Sequence, residues 1–152
     1  MKKILIVLLI SLTLTGCIIS KKQNDNKIRF YLSDKYYHTG EFVKVDNKSL
    51  EKLNKKNFIL FTYNPYCNLP ISCEKIFEEF MKKYNIDFIS IPFSDFKETS
   101  YYDNVKYAPS VMIIKEGEII DYLDANDDKD LQKYQDEKEF EKWLDNYVYF
   151  GE

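Results

Sequence analysis

A chain of 152 residues, 45% of them apolar and 16% aromatic, has the material for one domain with a real hydrophobic core. Its formal charge is −3 and it carries a single arginine, which leaves no basic footprint for nucleic acid and little attraction to anionic lipid. Lys2 and Lys3 precede an apolar run from Ile4 to Leu14, the shape of a secretory n-region and h-region. That run is too short to span a bilayer, which needs roughly 20 apolar residues. It closes at Leu14-Thr15-Gly16-Cys17. Residues 18–27 turn polar after the first two and read as a flexible tether. With residues 1–16 removed, 20 basic side chains face 25 acidic ones, a charge of −5.

Residues 28–37 are aromatic-rich and read either as an extra strand or as a packing arm. Glu41 to Val45 alternates weakly as a strand, and Asp46-Asn47 opens a short capped helix through Leu53. Phe58 to Tyr63 is nearly all apolar, as in a strand buried on both faces, and Asn64-Pro65 ends it. From Cys73 onward, Ile76, Phe77, Phe80, Met81 and Tyr84 form one 3.6-period face opposite a charged one. Ile86 to Ile91 predicts a second buried strand closed by Pro92, and Ser94 to Lys106 a loop with a helical turn or short helix. Val111 to Ile114 and Ile119 to Leu123 flank Glu116-Gly117 as an antiparallel hairpin. Asp124, Asp127, Asp128 and Asp130 lack the spacing, glycine and terminal glutamate of a calcium loop and read as a solvated loop. Phe140, Trp143, Leu144, Tyr147 and Val148 predict a final amphipathic helix.

Three cysteines carry the obvious chemistry. The apolar leader ending in Leu14-Thr15-Gly16-Cys17 resembles the lipobox of bacterial lipoproteins. That resemblance implies signal cleavage after residue 16, a diacylglyceryl thioether on Cys17, and anchoring to the outer face of the cell membrane. The expected organisation is a signal peptide at 1–16, a lipid-anchored tether at 17–27 and one domain at 28–152. Cys67 and Cys73 then remain, six positions apart, in a compartment where close thiols tend to pair.

The predicted order is strand, helix, strand ending at a cysteine pair, long helix, strand, loop, hairpin and helix. Strands alternating with helices before a hairpin suggest a mixed sheet covered on both faces. Tyr63-Asn64-Pro65-Tyr66 leading into Cys67, Cys73 opening the long helix, and Tyr107-Ala108-Pro109-Ser110 before the hairpin together resemble the thioredoxin-like superfamily, over roughly residues 40–150. The chain is also similar to uncharacterised thioredoxin-like lipoproteins of Gram-positive bacteria. The resemblance implies an α/β three-layer fold, a redox pair with Cys67 attacking and Cys73 resolving, and a cis Pro109 that, with Ala108, presents backbone to an extended substrate. It implies no cofactor, and a monomer suffices; the partners are the bilayer, through the anchor, and thiols or disulfides of envelope proteins.

Two departures bear on this. Five residues separate the cysteines where the family usually has two, and if Ser72 caps the helix then Cys73 takes its first position, leaving the attacking role open between them. Six residues before Cys67, where thioredoxins carry a buried acid, stands Phe61. The chain is therefore read as a membrane-anchored thiol–disulfide oxidoreductase or, alternatively, as a non-enzymatic binding module stapled by a Cys67–Cys73 disulfide. A third reading makes His38 and the cysteines soft-metal ligands, as in copper-delivery relatives of the fold, although no metal site is the primary expectation. Tyr63 and Ile59, four and eight residues before Cys67, exclude the peroxidase pattern, and four isolated glycines exclude a phosphate-binding loop.

Overall fold

The computed structural model describes residues 29–64 and 72–151. The expected leader, tether and lipidated Cys17 lie outside the described residues, as does Cys67. Five strands form one sheet: β1 (Phe42–Lys44), β2 (Phe58–Tyr63), β3 (Phe88–Pro92), β4 (Ser110–Lys115) and β5 (Glu118–Asp124). The helices are α1 (Asn47–Glu51), α2 (Cys73–Tyr84), α3 (Phe93–Phe96) and α4 (Glu137–Leu144). The strand order is β1-β3-β2-β4-β5, with β1, β3 and β2 parallel and β4 and β5 antiparallel. This is the mixed three-layer α/β arrangement the sequence predicts.

The central strand is apolar on both sides because both sides are covered. Phe58, Ile59, Leu60 and Phe61 are all buried. On one face Phe61 packs edge-on to Phe77 of α2 (5.3 Å between centroids), and Phe77 lies 4.8 Å from Phe140 of α4. Lys83 of α2 donates to Glu141 of α4 at 2.6 Å, joining the two helices at their rim. On the other face α3 packs against β2 and β3. The hairpin turns through Glu116 and Gly117, both with positive φ (52° and 89°), as a two-residue turn requires. A Cβ on Gly117 would collide with the Asn54 carbonyl, so glycine is required there for space as well as conformation.

Helix starts follow the sequence signals. Asp46 accepts from the Ser49 amide at 2.8 Å, and Asp136 accepts from the amides of Lys138 and Glu139 at 2.8 and 3.1 Å. Ser72 holds the N-cap position of α2 without a side-chain cap bond, so Cys73 is the first helical residue.

The structure shortens one predicted element, settles two that the sequence left open and orders another. The final helix stops at Leu144; Val148 instead makes a parallel bridge to Phe30. Residues 30–37 are a packing arm rather than a sheet strand, with Leu32 and Tyr36 buried and a 3₁₀ turn at Asp34–Tyr36. The stretch after β3 holds both a short helix, α3, and a 3₁₀ turn at Ser100–Asp103. The acidic segment leads into a further 3₁₀ turn, Leu131–Tyr134. Among the described residues no helix is long and apolar enough to cross a membrane.

Candidate functional site

The end of β2 and the start of α2 meet the loop before β4 at one end of the central strands. Phe61, Tyr63 and Asn64 from the strand, Ser72, Cys73 and Glu74 from the helix, and Pro109 line a cleft of about 340 Å³ there. The Ala108–Pro109 peptide is cis, as the sequence reading anticipates for that loop. Strand order, helix placement and cis-proline coincide.

The fold is thioredoxin-like.

No family model matches the chain, and no curated protein matches it. Solved thioredoxins align with it at low identity. Thioredoxin f from spinach chloroplast is 17% identical, covering 71% of this chain and 97% of its own, with a TM-score of 0.47. Oxidised thioredoxin from Plasmodium falciparum is 19% identical over 68% of this chain and 97% of its own (TM-score 0.48). Thioredoxin from Trypanosoma brucei brucei is 13% identical over 74% and 99% respectively (TM-score 0.48). The fold assignment rests on the sheet order and connectivity described above, not on these alignments.

Cys73 sits at the first position of a twelve-residue helix and is 2% exposed. Unpaired amides and the macrodipole at such a position favour negative charge, while burial restricts what can reach the sulfur. Pro109 is buried beside it and Ala108 is partly buried, so the structure brings three of the anticipated site residues to one place. Cys67 lies outside the described residues.

Beneath the cleft lies a residue that the sequence reading does not single out. Tyr134, fully buried in the 3₁₀ turn Leu131–Tyr134, places its hydroxyl 2.6 Å from the Leu123 carbonyl and 3.1 Å from the Pro109 carbonyl. Burial pushes this hydroxyl well above the ordinary tyrosine range, and negative charge on neighbouring Cys73 adds to the push. It therefore stays protonated and acts as a donor that holds the proline loop. The acidic segment delivers it: Asp130 accepts from the Asp124 amide at 3.0 Å and pairs with Lys133 at 2.5 Å. Those acids organise a turn, which is more than the solvated loop expected of them. The available signal was Tyr134 itself, the one aromatic in residues 125–138, an otherwise polar stretch.

Phe61 is buried where thioredoxins place an acid, with Phe42 at 5.4 Å and Tyr63 at 6.1 Å. The position that holds an acid in thioredoxins is thus a ring packed among rings. His38 cannot join Cys73 at a metal. It lines a separate hollow with Tyr84 and Asn85 at the far end of α2, and eleven residues of helix put that end about 16 Å from Cys73. That separation removes His38 as a third ligand beside Cys73. Among the tyrosines, Tyr36 and Tyr101 are buried in the core, whereas Tyr31, Tyr107 and Tyr149 are exposed. A larger cleft, about 550 Å³, opens between α1 and the hairpin turn, but no cysteine or histidine lines it.

Proposed function

We propose that this protein is a thioredoxin-type thiol–disulfide exchange protein whose redox couple is Cys67 and Cys73. The observation that carries the reading is Cys73 at the head of α2 in an open cleft beside cis Pro109. Burial of Cys73 suits the resolving role, which leaves Cys67 as the attacking sulfur. In the reducing direction the Cys67 thiolate attacks one sulfur of a substrate disulfide, forming a mixed disulfide and releasing one substrate thiolate. Cys73 then attacks Cys67, expelling the second substrate thiolate and leaving a Cys67–Cys73 disulfide. Two electrons pass to the substrate; the oxidising direction is the reverse. The lipobox-like leader supports tethering through Cys17 to the outer face of the membrane, so the proposed substrates are envelope proteins.

A second reading is a non-enzymatic module in which the cysteine pair is a structural staple. Phe61 in place of the buried acid favours it, because a ring at that position cannot relay a proton. An exchange assay with a small test disulfide separates the two. Cys67→Ser and Cys73→Ser should each abolish turnover; exchange unchanged in either variant would remove the couple.

A further inference from the structure

A second hollow, about 200 Å³, adjoins the Cys73 cleft and shares Phe61, Tyr63 and Glu74 with it. It runs toward the β1 edge of the sheet, where Phe42 adds a third ring to its wall. Phe42 and Phe61 are 5.4 Å apart between centroids, and Phe61 and Tyr63 are 6.1 Å apart, so the three rings adjoin along one aromatic wall. Ser90 also lines the hollow; it is 3% exposed, and its buried hydroxyl has no hydrogen-bond partner. A polar atom left buried and unpaired is destabilising, and an arriving hydrogen-bond partner would relieve that. Glu74 and Glu78, one helical turn apart on α2, stand at the rim, and among the described residues Lys44 is the single opposing charge lining the hollow. The Glu78–Lys82 pair, at 3.7 Å between exposed side chains, is too weak to occupy that carboxylate.

We propose that this hollow is a subsite for a lysine or arginine side chain of an extended polypeptide lying across the Cys73–Pro109 cleft. A cation is the occupant that satisfies every wall. Two carboxylates outweigh one ammonium, the aromatic wall suits the side chain's apolar stem and its cationic head, and its N–H groups supply the donor that the Ser90 oxygen lacks. An acidic side chain would face Glu74 and Glu78, and an aliphatic one would leave Ser90 unpaired. The volume suits one long side chain and falls below that of a typical small-molecule pocket. The inference deepens the proposed exchange function by naming its substrate class, and rests on that reading only for the polypeptide's second anchor.

The test is an NMR titration of the full-length protein in detergent micelles. The probes are a blocked, cysteine-free pentapeptide with one central lysine and the same peptide with norleucine in its place. The lysine peptide should bind about tenfold more tightly, a preference of the size cation–π and carboxylate contacts supply. Glu74→Gln combined with Glu78→Gln should erase the preference, whereas Glu79→Gln, outside the hollow, should keep it. Equal affinity for both peptides, no binding of either, or a preference surviving the double substitution would overturn the subsite. A parallel exchange assay uses the lysine peptide extended by a cysteine in mixed disulfide with glutathione. Lysine-selective binding without exchange would uphold the subsite and count against the redox reading alone.

Discussion

The Tyr134 hydroxyl lies 3.1 Å from the carbonyl oxygen of Pro109, which ties the edge of the cleft to the turn preceding α4. The Tyr134 hydroxyl is also 2.6 Å from the Leu123 carbonyl oxygen, so its one buried proton is shared between the proline loop and the end of β5. Tyr134→Phe keeps the ring packing and removes that proton. It should lower stability by about 1–3 kcal/mol, the cost of leaving buried carbonyls unpaired, read as a fall in the denaturant midpoint at unchanged slope. A midpoint equal to that of the parent would mean the hydroxyl does not hold the loop.

Asp87 does comparable work at the other end of β3. One of its carboxylate oxygens accepts from the amides of Thr39, Gly40 and Glu41 at 3.1, 2.8 and 3.1 Å and from the Thr39 hydroxyl at 3.1 Å. Gly40 has φ 72°, and a Cβ there would lie 2.5 Å from the Met81 carbonyl, so the loop is fixed on both sides. Asp87→Ala should cost at least the value of a charged hydrogen bond, about 1.5–3 kcal/mol. Asp87→Asn, which keeps an acceptor oxygen, should cost less. Equal losses in chemical denaturation would argue that the charge, not the acceptor, organises the loop.

Alkaline pH should unfold the protein through its tyrosines. Burial, followed by the hydrogen bond and negative charge of Asp121, pushes Tyr147 up to about 12, and burial raises Tyr37, Tyr84 and Tyr101 as well as Tyr134. A folded pKa above the unfolded value of about 10 means the folded state holds the proton more tightly. The associated stability is intact below pH about 10 and is lost as pH rises toward 12 and beyond. Tyrosinate absorbance from these raised tyrosines should therefore appear late, coinciding with loss of the far-ultraviolet circular dichroism signal. A single phase near pH 10 with the fold intact would contradict this.

Phe61→Ala should be the most damaging substitution at the cleft. The ring packs against Phe42, Tyr63 and Phe77, and removing a buried phenylalanine typically costs about 3–5 kcal/mol. Because the same ring floors both hollows, lysine-peptide binding should weaken with it in the fraction that remains folded. A loss below 1 kcal/mol in chemical denaturation would show that the site collapses to refill the space.

Much of the fold was legible because its strongest elements obey local rules. Phe58 to Tyr63 is β2 residue for residue, since an unbroken apolar run fits a strand covered on both faces. The face of Ile76, Phe77, Phe80 and Met81 marked α2, and Glu116-Gly117 marked the hairpin. Periodicity misled at the C-terminus, where Val148 continues the apolar pattern but is buried against Phe30, beyond the end of α4. Tyr134, Asp87 and Ser90 were not legible, because each acts through partners 11 to 48 residues away or through the lack of one. Cys73, Ala108 and Pro109 could be placed from motif order alone, whereas the His38 reading failed because sequence does not show which end of α2 a loop reaches.

The most direct test of the proposed exchange chemistry is a redox titration of the Cys17→Ser chain, so that only Cys67 and Cys73 are counted. Free thiols are trapped by alkylation at each glutathione ratio and read by intact mass. The account predicts a reversible two-electron transition with a potential between about −120 and −270 mV, the span of catalytic thioredoxin-fold pairs. A potential below about −300 mV would mark a structural bridge, and two thiols that never pair would leave no couple at all; either result would contradict it.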